Sequence, residues 1–129
     1  MNDPSPHTSR EQVLVVDDDE FVGRAIQRVL SRYDVTVARS AASALARIEA
    51  GASFVAVLCD LFMPGMTGLA FYDGVAAIDP RIARRILFIS GAVAGPELQE
   101  AALRTGSPCV PKPFDHNDLR SAVDAVARR

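Results

Sequence analysis

The sequence predicts a single α/β domain, a doubly wound five-stranded parallel sheet with helices on both faces. Three observations carry this expectation. Short apolar runs of strand length alternate five times with segments of helical periodicity. The central runs, "FVAVLC" (54–59) and "RILFIS" (85–90), are almost continuously apolar, as strands covered on both faces require. Finally, 129 residues of which 49% are apolar suffice for one real core and not comfortably for two.

Residues 1–11 mix Pro, Ser, Asn and Asp without periodicity and read as a flexible tail, which leaves the domain over 12–129. The first strand is Val13–Val16. A helix follows, with Phe21, Ala25 and Val29 in one i, i+4 row and Val22, Ile26 and Leu30 in the next, while Arg24, Gln27 and Arg28 face out. Val35–Val37 is the second strand and the least marked. The second helix starts near Ser40, turns Leu45 and Ile48 inward and stops at Gly51.

Phe54–Cys59 is the third strand. The third helix runs from Gly68 to Ile78, where Asp79-Pro80 ends it. After the fourth strand, Ile86–Ile89, Pro96 suits a first helical position and Glu97 suits the positive end of the helix dipole. That fourth helix ends at Gly106. The fifth strand is short, around Cys109–Val110, and Pro108 and Pro111 cannot donate to a ladder, so it belongs at a sheet edge. The last helix has Asp115 as N-cap and turns Leu119, Ala122, Val123 and Val126 inward.

Composition excludes several function classes. A net charge of −2 gives no electrostatic case for nucleic acid. No apolar stretch reaches membrane-spanning length, and the first residues lack the apolar stretch of a secretory signal. Cys59 and Cys109 have neither metal-site spacing nor the density of a disulfide scaffold, which favours a cytoplasmic protein. His7 falls in the tail and His116 in the first turn of a helix, so neither reads as a ligand.

The chemistry gathers elsewhere. In such sheets ligands bind outside the carboxyl ends of the strands. The first strand ends in "VLVVDDDE" (13–20), the third in Asp60, the fourth in Ser90-Gly91 and the fifth in Lys112-Pro113-Phe114. Two carboxylates about 4 Å apart repel by about 1 kcal/mol in water and about 4 kcal/mol at an effective dielectric near 20. A helix N-terminus, a cation or both must offset that.

Taken singly, each residue has an ordinary reading. Asp18, Asp19 and Glu20 suit a helix start, Asp60 a turn, Ser90 a cap and Lys112 a solvated surface. Their coincidence at four strand ends is what those readings do not explain. Mg²⁺ takes one or two carboxylates and is completed by phosphate oxygens, and a carboxylate can attack phosphorus to give an aspartyl phosphate. Asp60 as acceptor, Asp17 and Asp18 around Mg²⁺, and Ser90 and Lys112 on the phosphoryl oxygens fill every role such a transfer needs.

With "VLVVDDDE", "LCDLFMPGMTG", "FISG" and "PKPF" in this order, the chain closely resembles the receiver domain of two-component response regulators. The resemblance implies a flavodoxin-like (βα)5 fold with strand order 2-1-3-4-5. It implies Asp60 as phosphoacceptor, with Asp18, Asp60 and the backbone carbonyl of Phe62 as direct Mg²⁺ ligands and Asp17 acting through water. Ser90 and Lys112 would contact the phosphoryl group, and the Lys112–Pro113 peptide would be cis. The implied partners are a histidine kinase or histidine phosphotransfer protein and an unidentified downstream protein, with the domain a monomer or a phosphorylation-dependent dimer. Such a domain is a switch and not an enzyme acting on metabolites.

Three positions depart from the family pattern. Cys109 stands where many receivers carry the aromatic residue that rotates inward on phosphorylation. Phe62 and Ala92, two residues after Asp60 and Ser90, replace polar side chains. The departure at Cys109 shifts the expected readout to Ser90 and the loop Gly91–Gly95. Two rivals remain: a pseudo-receiver that binds partners without phosphorylation, and a haloacid-dehalogenase-like phosphohydrolase, whose acid pair Asp17 and Asp19 imitate. Phe21 stands where the latter expects Thr or Val, and the chain has no room for its cap domain.

Overall fold

The computed structural model describes residues 10–91 and 95–129. Most of the expected tail, with His7, and Ala92 in the Gly91–Gly95 loop lie outside the described residues. The elements alternate along the chain. Strand β1 (Gln12–Val16) leads to helix α1 (Glu20–Val29), β2 (Asp34–Ala38) to α2 (Ala41–Glu49), and β3 (Ala56–Asp60) to a two-residue pair, β4 (Phe62–Met63) and β5 (Met66–Thr67). Helix α3 (Gly68–Ile78) and the single turn α4 (Pro80–Ala83) follow. The chain then runs through β6 (Ile86–Ser90), α5 (Pro96–Thr105), β7 (Cys109–Pro111) and α6 (His116–Ala127).

The main sheet has the order β2-β1-β3-β6-β7, with every pairing parallel. With the short hairpin set aside, this is the expected 2-1-3-4-5 order of a flavodoxin-like fold. All five residues of β3 and all five of β6 are buried, as the apolar runs required. Alternation then sorts the side chains into two cores. Leu14, Val16, Val57, Cys59, Ile86 and Phe88 face α2, α3 and α5, through Ile48, Phe71, Val75 and Ala101. Val13, Val15, Leu58, Leu87 and Ile89 face α1 and α6, through Ile26, Val29, Leu119, Val123 and Val126. Each fully buried aliphatic side chain contributes about 1.5–3 kcal/mol, so the two central strands anchor the domain.

Five helices begin on a side-chain cap. Asp19, Ser40, Thr67, Asp79 and Asp115 each accept a hydrogen bond from a first-turn backbone N–H. Such a cap is worth about 0.5–2 kcal/mol. Asp79 serves twice: its N–H closes α3 on the Val75 carbonyl, and its carboxylate starts α4. Helix α5 instead opens on Pro96 and closes on Gly106, whose φ of 68° is left-handed. The edge position of β7 also holds: Pro108 contributes a carbonyl to the Phe88 N–H, and Pro111 lies opposite Ser90.

Four differences from the sequence reading have physical causes. The third strand begins at Ala56, with the Phe54 carbonyl before it accepting from the Arg85 guanidinium, and extends to Asp60 because Asp60 pairs with Ile89 of β6. The β4–β5 hairpin and α4 are too short to leave a periodic signal. Phe21, placed in an inward row of α1, is 73% exposed. It sits in the first turn, beyond the strand ends, and lines a surface groove with Phe114.

Gly68 explains how the hairpin folds back. Its N–H donates to the Leu61 carbonyl at 2.8 Å, and a Cβ there would meet the Leu61 Cα at 2.9 Å and the Asp60 carbonyl oxygen at 3.2 Å. Those neighbours are backbone and cannot yield without moving the turn after Asp60. Gly68→Ala is therefore expected to destabilise the domain by about 1–3 kcal/mol. Urea unfolding should show it as a lower midpoint, whereas Ala in place of the exposed Gln99 should leave the midpoint nearly unchanged.

Candidate functional site

Parallel strands bring their carboxyl ends to one edge of the sheet. Asp17 directly follows β1, Asp60 is the last residue of β3, Ser90 the last of β6, and Lys112 follows β7. The strand order makes β1 and β3 neighbours, so Asp17 and Asp60 converge without long side chains. Asp17, Asp18 and Asp60 each offer a carboxylate oxygen within 4.8 Å of the other two.

Burial is uneven across the trio. Asp17 is 1% and Asp60 9% exposed, while Asp18 opens to solvent. Lys112 compensates the buried pair. Its Nζ donates to Asp17 Oδ2 at 3.0 Å and to Asp60 Oδ2 at 2.9 Å. The backbone finishes the arrangement: the Asp19 N–H donates to Asp17 Oδ1 and the Phe62 N–H to Asp60 Oδ1. Asp18 therefore carries the least compensated charge of the three.

Lys112 is itself positioned by the sheet edge. Its N–H donates to the Ser90 carbonyl at 2.8 Å, and its peptide bond to Pro113 is cis. Ser90 is buried beside it. Cys59 lies beneath the acids; burial, with Asp60 and Asp17 close by, pushes its thiol pKa well above the ordinary value. It is thus no nucleophile at neutral pH. Cys109 is half-buried on β7, directly opposite Phe88, and burial raises its thiol pKa also.

The structure brings together Asp17, Asp18, Asp60 and Lys112, and sets the Phe62 backbone and Ser90 at the same edge. Asp19 proves to be the cap of α1, accepting from the Phe21 N–H at 2.9 Å. The sequence alone did not show that Lys112 bridges two carboxylates, because that contact spans 95 residues to Asp17 and depends on strand order. It also gave no sign that Gly68 packs on the Asp60 backbone. A motif glycine after a proline turn was the one available hint.

The donor set fits a hard divalent cation. All three side chains offer carboxylate oxygen, the ligand type Mg²⁺ prefers, and among the described residues no cysteine or histidine joins the group.

Burial lowers the pKa of the Lys112 ammonium, but its hydrogen bonds to Asp60 and Asp17 outweigh that and raise it above the ordinary 10.5. A pKa raised on folding gives stability that is complete below the unfolded value and is lost as pH rises through the folded one. The stability difference between the native chain and Lys112→Gln should thus be constant near neutrality and shrink above about pH 10.5. Urea unfolding from pH 8 upward checks this, and the paired comparison removes the similar contribution of Tyr33, whose pKa burial and Asp124 also raise.

A family model for the response regulator receiver domain matches residues 13–124. Among curated relatives, protein PetR of Rhodobacter capsulatus is 30% identical, with 100% of this chain and 52% of PetR covered. The C4-dicarboxylate transport transcriptional regulatory protein DctD of Rhizobium meliloti is 32% identical, over 91% of this chain and 25% of DctD. The chain thus spans about a quarter to about half the length of these relatives. Among solved structures, chemotaxis protein CheY4 of Vibrio cholerae has a TM-score of 0.79 at 26% identity, covering 92% of this chain and 99% of that one. A CheY-like receiver domain protein from Methanospirillum hungatei has a TM-score of 0.81 at 25% identity, covering 93% and 95%. The family model spans most of the chain and the strand order is that of a flavodoxin-like fold, and the chain belongs to the response regulator receiver domain family of two-component signal transduction.

Proposed function

We propose that this domain, expected over residues 12–129, is a phosphoacceptor switch in which Asp60 takes a phosphoryl group from a histidine kinase or histidine phosphotransfer protein. The observation that carries the reading is the environment of Asp60. It is a nearly buried carboxylate at a strand end, held by Lys112 Nζ at 2.9 Å and within 4.8 Å of oxygens from Asp17 and Asp18. An Asp60 oxygen attacks phosphorus, the bond from phosphorus to the donor nitrogen breaks, and that nitrogen keeps the electron pair.

Lys112 already stands at Asp60, and a short swing from Oδ2 puts its ammonium on a phosphoryl oxygen. Ser90, at the neighbouring strand end, would donate its hydroxyl to another. Asp18, Asp60 and the Phe62 carbonyl would hold Mg²⁺ directly, with Asp17 acting through water. Bound there, Mg²⁺ supplies the positive charge that neutralises carboxylate and phosphoryl oxygens together.

A protein donor has a landing place. A groove of about 450 Å³ opens beside Lys112, lined by Phe21, Val22, Ala25 and Phe114 among others. An exposed phenylalanine in a groove shared with the lysine that holds Asp60 suits a helical partner better than a free metabolite. The setting for such a transfer is the cytoplasm. Among the described residues no helix is long and apolar enough to cross a membrane.

The readout passes through Ser90 toward α5. Cys109 is too small to act as a rotating aromatic, and the intervening residues 92–94 lie outside those described. The downstream partner is a protein or a second copy of the domain.

Two experiments test the reading. Incubation with acetyl phosphate and Mg²⁺ should add one phosphoryl group by intact mass, and Asp60→Ala should abolish it with the fold retained. A label that persists in Asp60→Ala and is lost in Asp17→Ala assigns the dehalogenase-like chemistry instead. No label on the native chain under conditions that label a control receiver assigns a binding module without phosphorylation. Sizing chromatography of the same samples reports any phosphorylation-dependent dimer.

The second experiment uses the acids' mutual repulsion. Asp18 has no lysine contact, so Asp18→Asn should stabilise the metal-free domain by about 1 kcal/mol and reduce the stabilisation by added Mg²⁺. Asp60→Asn, which also weakens a Lys112 contact, should gain less. Midpoints in chelator that fall for both variants contradict a shared acidic pocket.

A further inference from the structure

A second hollow borders the acidic edge, between the β4–β5 hairpin, the start of α3 and α5. Leu61, Phe62 and Leu69 form an apolar floor, and Thr67, Glu97 and Glu100 the rim, enclosing about 190 Å³. Phe62, at 46% exposed, is one of the few large apolar side chains open to solvent. Glu97 and Glu100 lie three apart on α5 and so share a face. Neither enters an ion pair among the described residues.

The neighbouring cation is already committed. Arg104, one turn beyond Glu100, donates through Nη2 to both carboxylate oxygens of Asp73, one turn beyond Leu69 on α3. That pair ties the two helices together below the hollow and holds the Arg104 guanidinium on Asp73, so that Glu100 feels its charge only at longer range and, among the described residues, neither glutamate is in ion-pair contact.

We propose that this hollow is a docking site for a partner protein, which inserts one long cationic side chain, Arg or Lys, from an amphipathic segment. Size argues for a single side chain: pockets for drug-sized ligands run to about 300–1,000 Å³, well above this one. Chemistry argues for its type. The alkyl stem of such a residue covers the apolar floor while the charged head reaches water and the glutamates at the rim. The negative rim disfavours nucleic acid, phosphate and anionic membranes alike. The site shares Phe62 with the acceptor edge, through its side chain and not its backbone, and does not rest on phosphoryl transfer to Asp60.

The test uses the full chain, ¹⁵N-labelled and unphosphorylated. The probes are a short synthetic helix of Leu and Arg and a twin in which Gln replaces every Arg. The expected result is amide shift changes centred on Leu61, Phe62, Leu69, Glu97 and Glu100 with the Arg peptide. Its affinity should fall at least tenfold for the Gln peptide, and at least tenfold in the double variant Glu97→Gln/Glu100→Gln. Both substitutions are at exposed rim positions, and the variant's amide spectrum verifies that it is folded. Shifts centred instead on Asp18, Asp19 and Glu20, or an affinity unchanged in the double variant, overturn the proposal. So does a concentration-dependent dimer of the native chain that the double variant lacks, since the occupant is then a second copy.

Discussion

The geometry of the acidic edge depends on one contact, the lysine ammonium shared by Asp17 and Asp60. Two carboxylates that are 1% and 9% exposed have given up most of their hydration. Removing the lysine from such a pair is far more damaging than its net contribution implies, because it leaves buried charge uncompensated. The bridge also has a mechanical side. It runs from the edge strand β7 across β6 to β3 and β1, so one ion pair network fastens the outer strand to the centre of the sheet.

That contact is available only because the rest of the fold converges on it. Parallel strands deliver all their carboxyl ends to one side, and crossover helices keep both faces of the sheet dry. Backbone N–H groups of Asp19 and Phe62 take the remaining oxygens of Asp17 and Asp60, which orients each carboxylate before any ligand arrives. Gly68, packed on the backbone of Leu61 and Asp60, sets where the Phe62 turn lies. Main chain thus orients the two carboxylates that the lysine joins.

Much of this was legible in the amino-acid order, for identifiable reasons. β3 and β6 are buried on both faces, so burial wrote itself into unbroken apolar runs. Ser40, Asp115 and Gly106 mark helix ends through chemistry local to the chain, and each acts as its residue type implied. The convergence of Asp17, Asp18, Asp60 and Lys112 was legible once the strand ends were known. What stayed hidden was non-local or very short. A two-residue hairpin has no period, and Phe21 reads as core by spacing although its turn overhangs the sheet. The sharing of one ammonium between two acids depends on which strands are neighbours, and no local pattern records that.

The double ion pair of Lys112 also bears on the covalent chemistry of the chain. The sequence contains thirteen arginines, and Lys112 is its single lysine. The whole stock of side-chain amine is therefore one nitrogen, protonated and held by two carboxylates. An amine must be neutral to attack an acylating reagent, and the raised pKa makes that form scarce at neutral pH. Whatever loosens the ammonium from Asp17 and Asp60 would unmask the only side-chain amine the domain can offer. Acylation rate at that one atom would then register the electrostatic state of the acidic edge, without any engineered label.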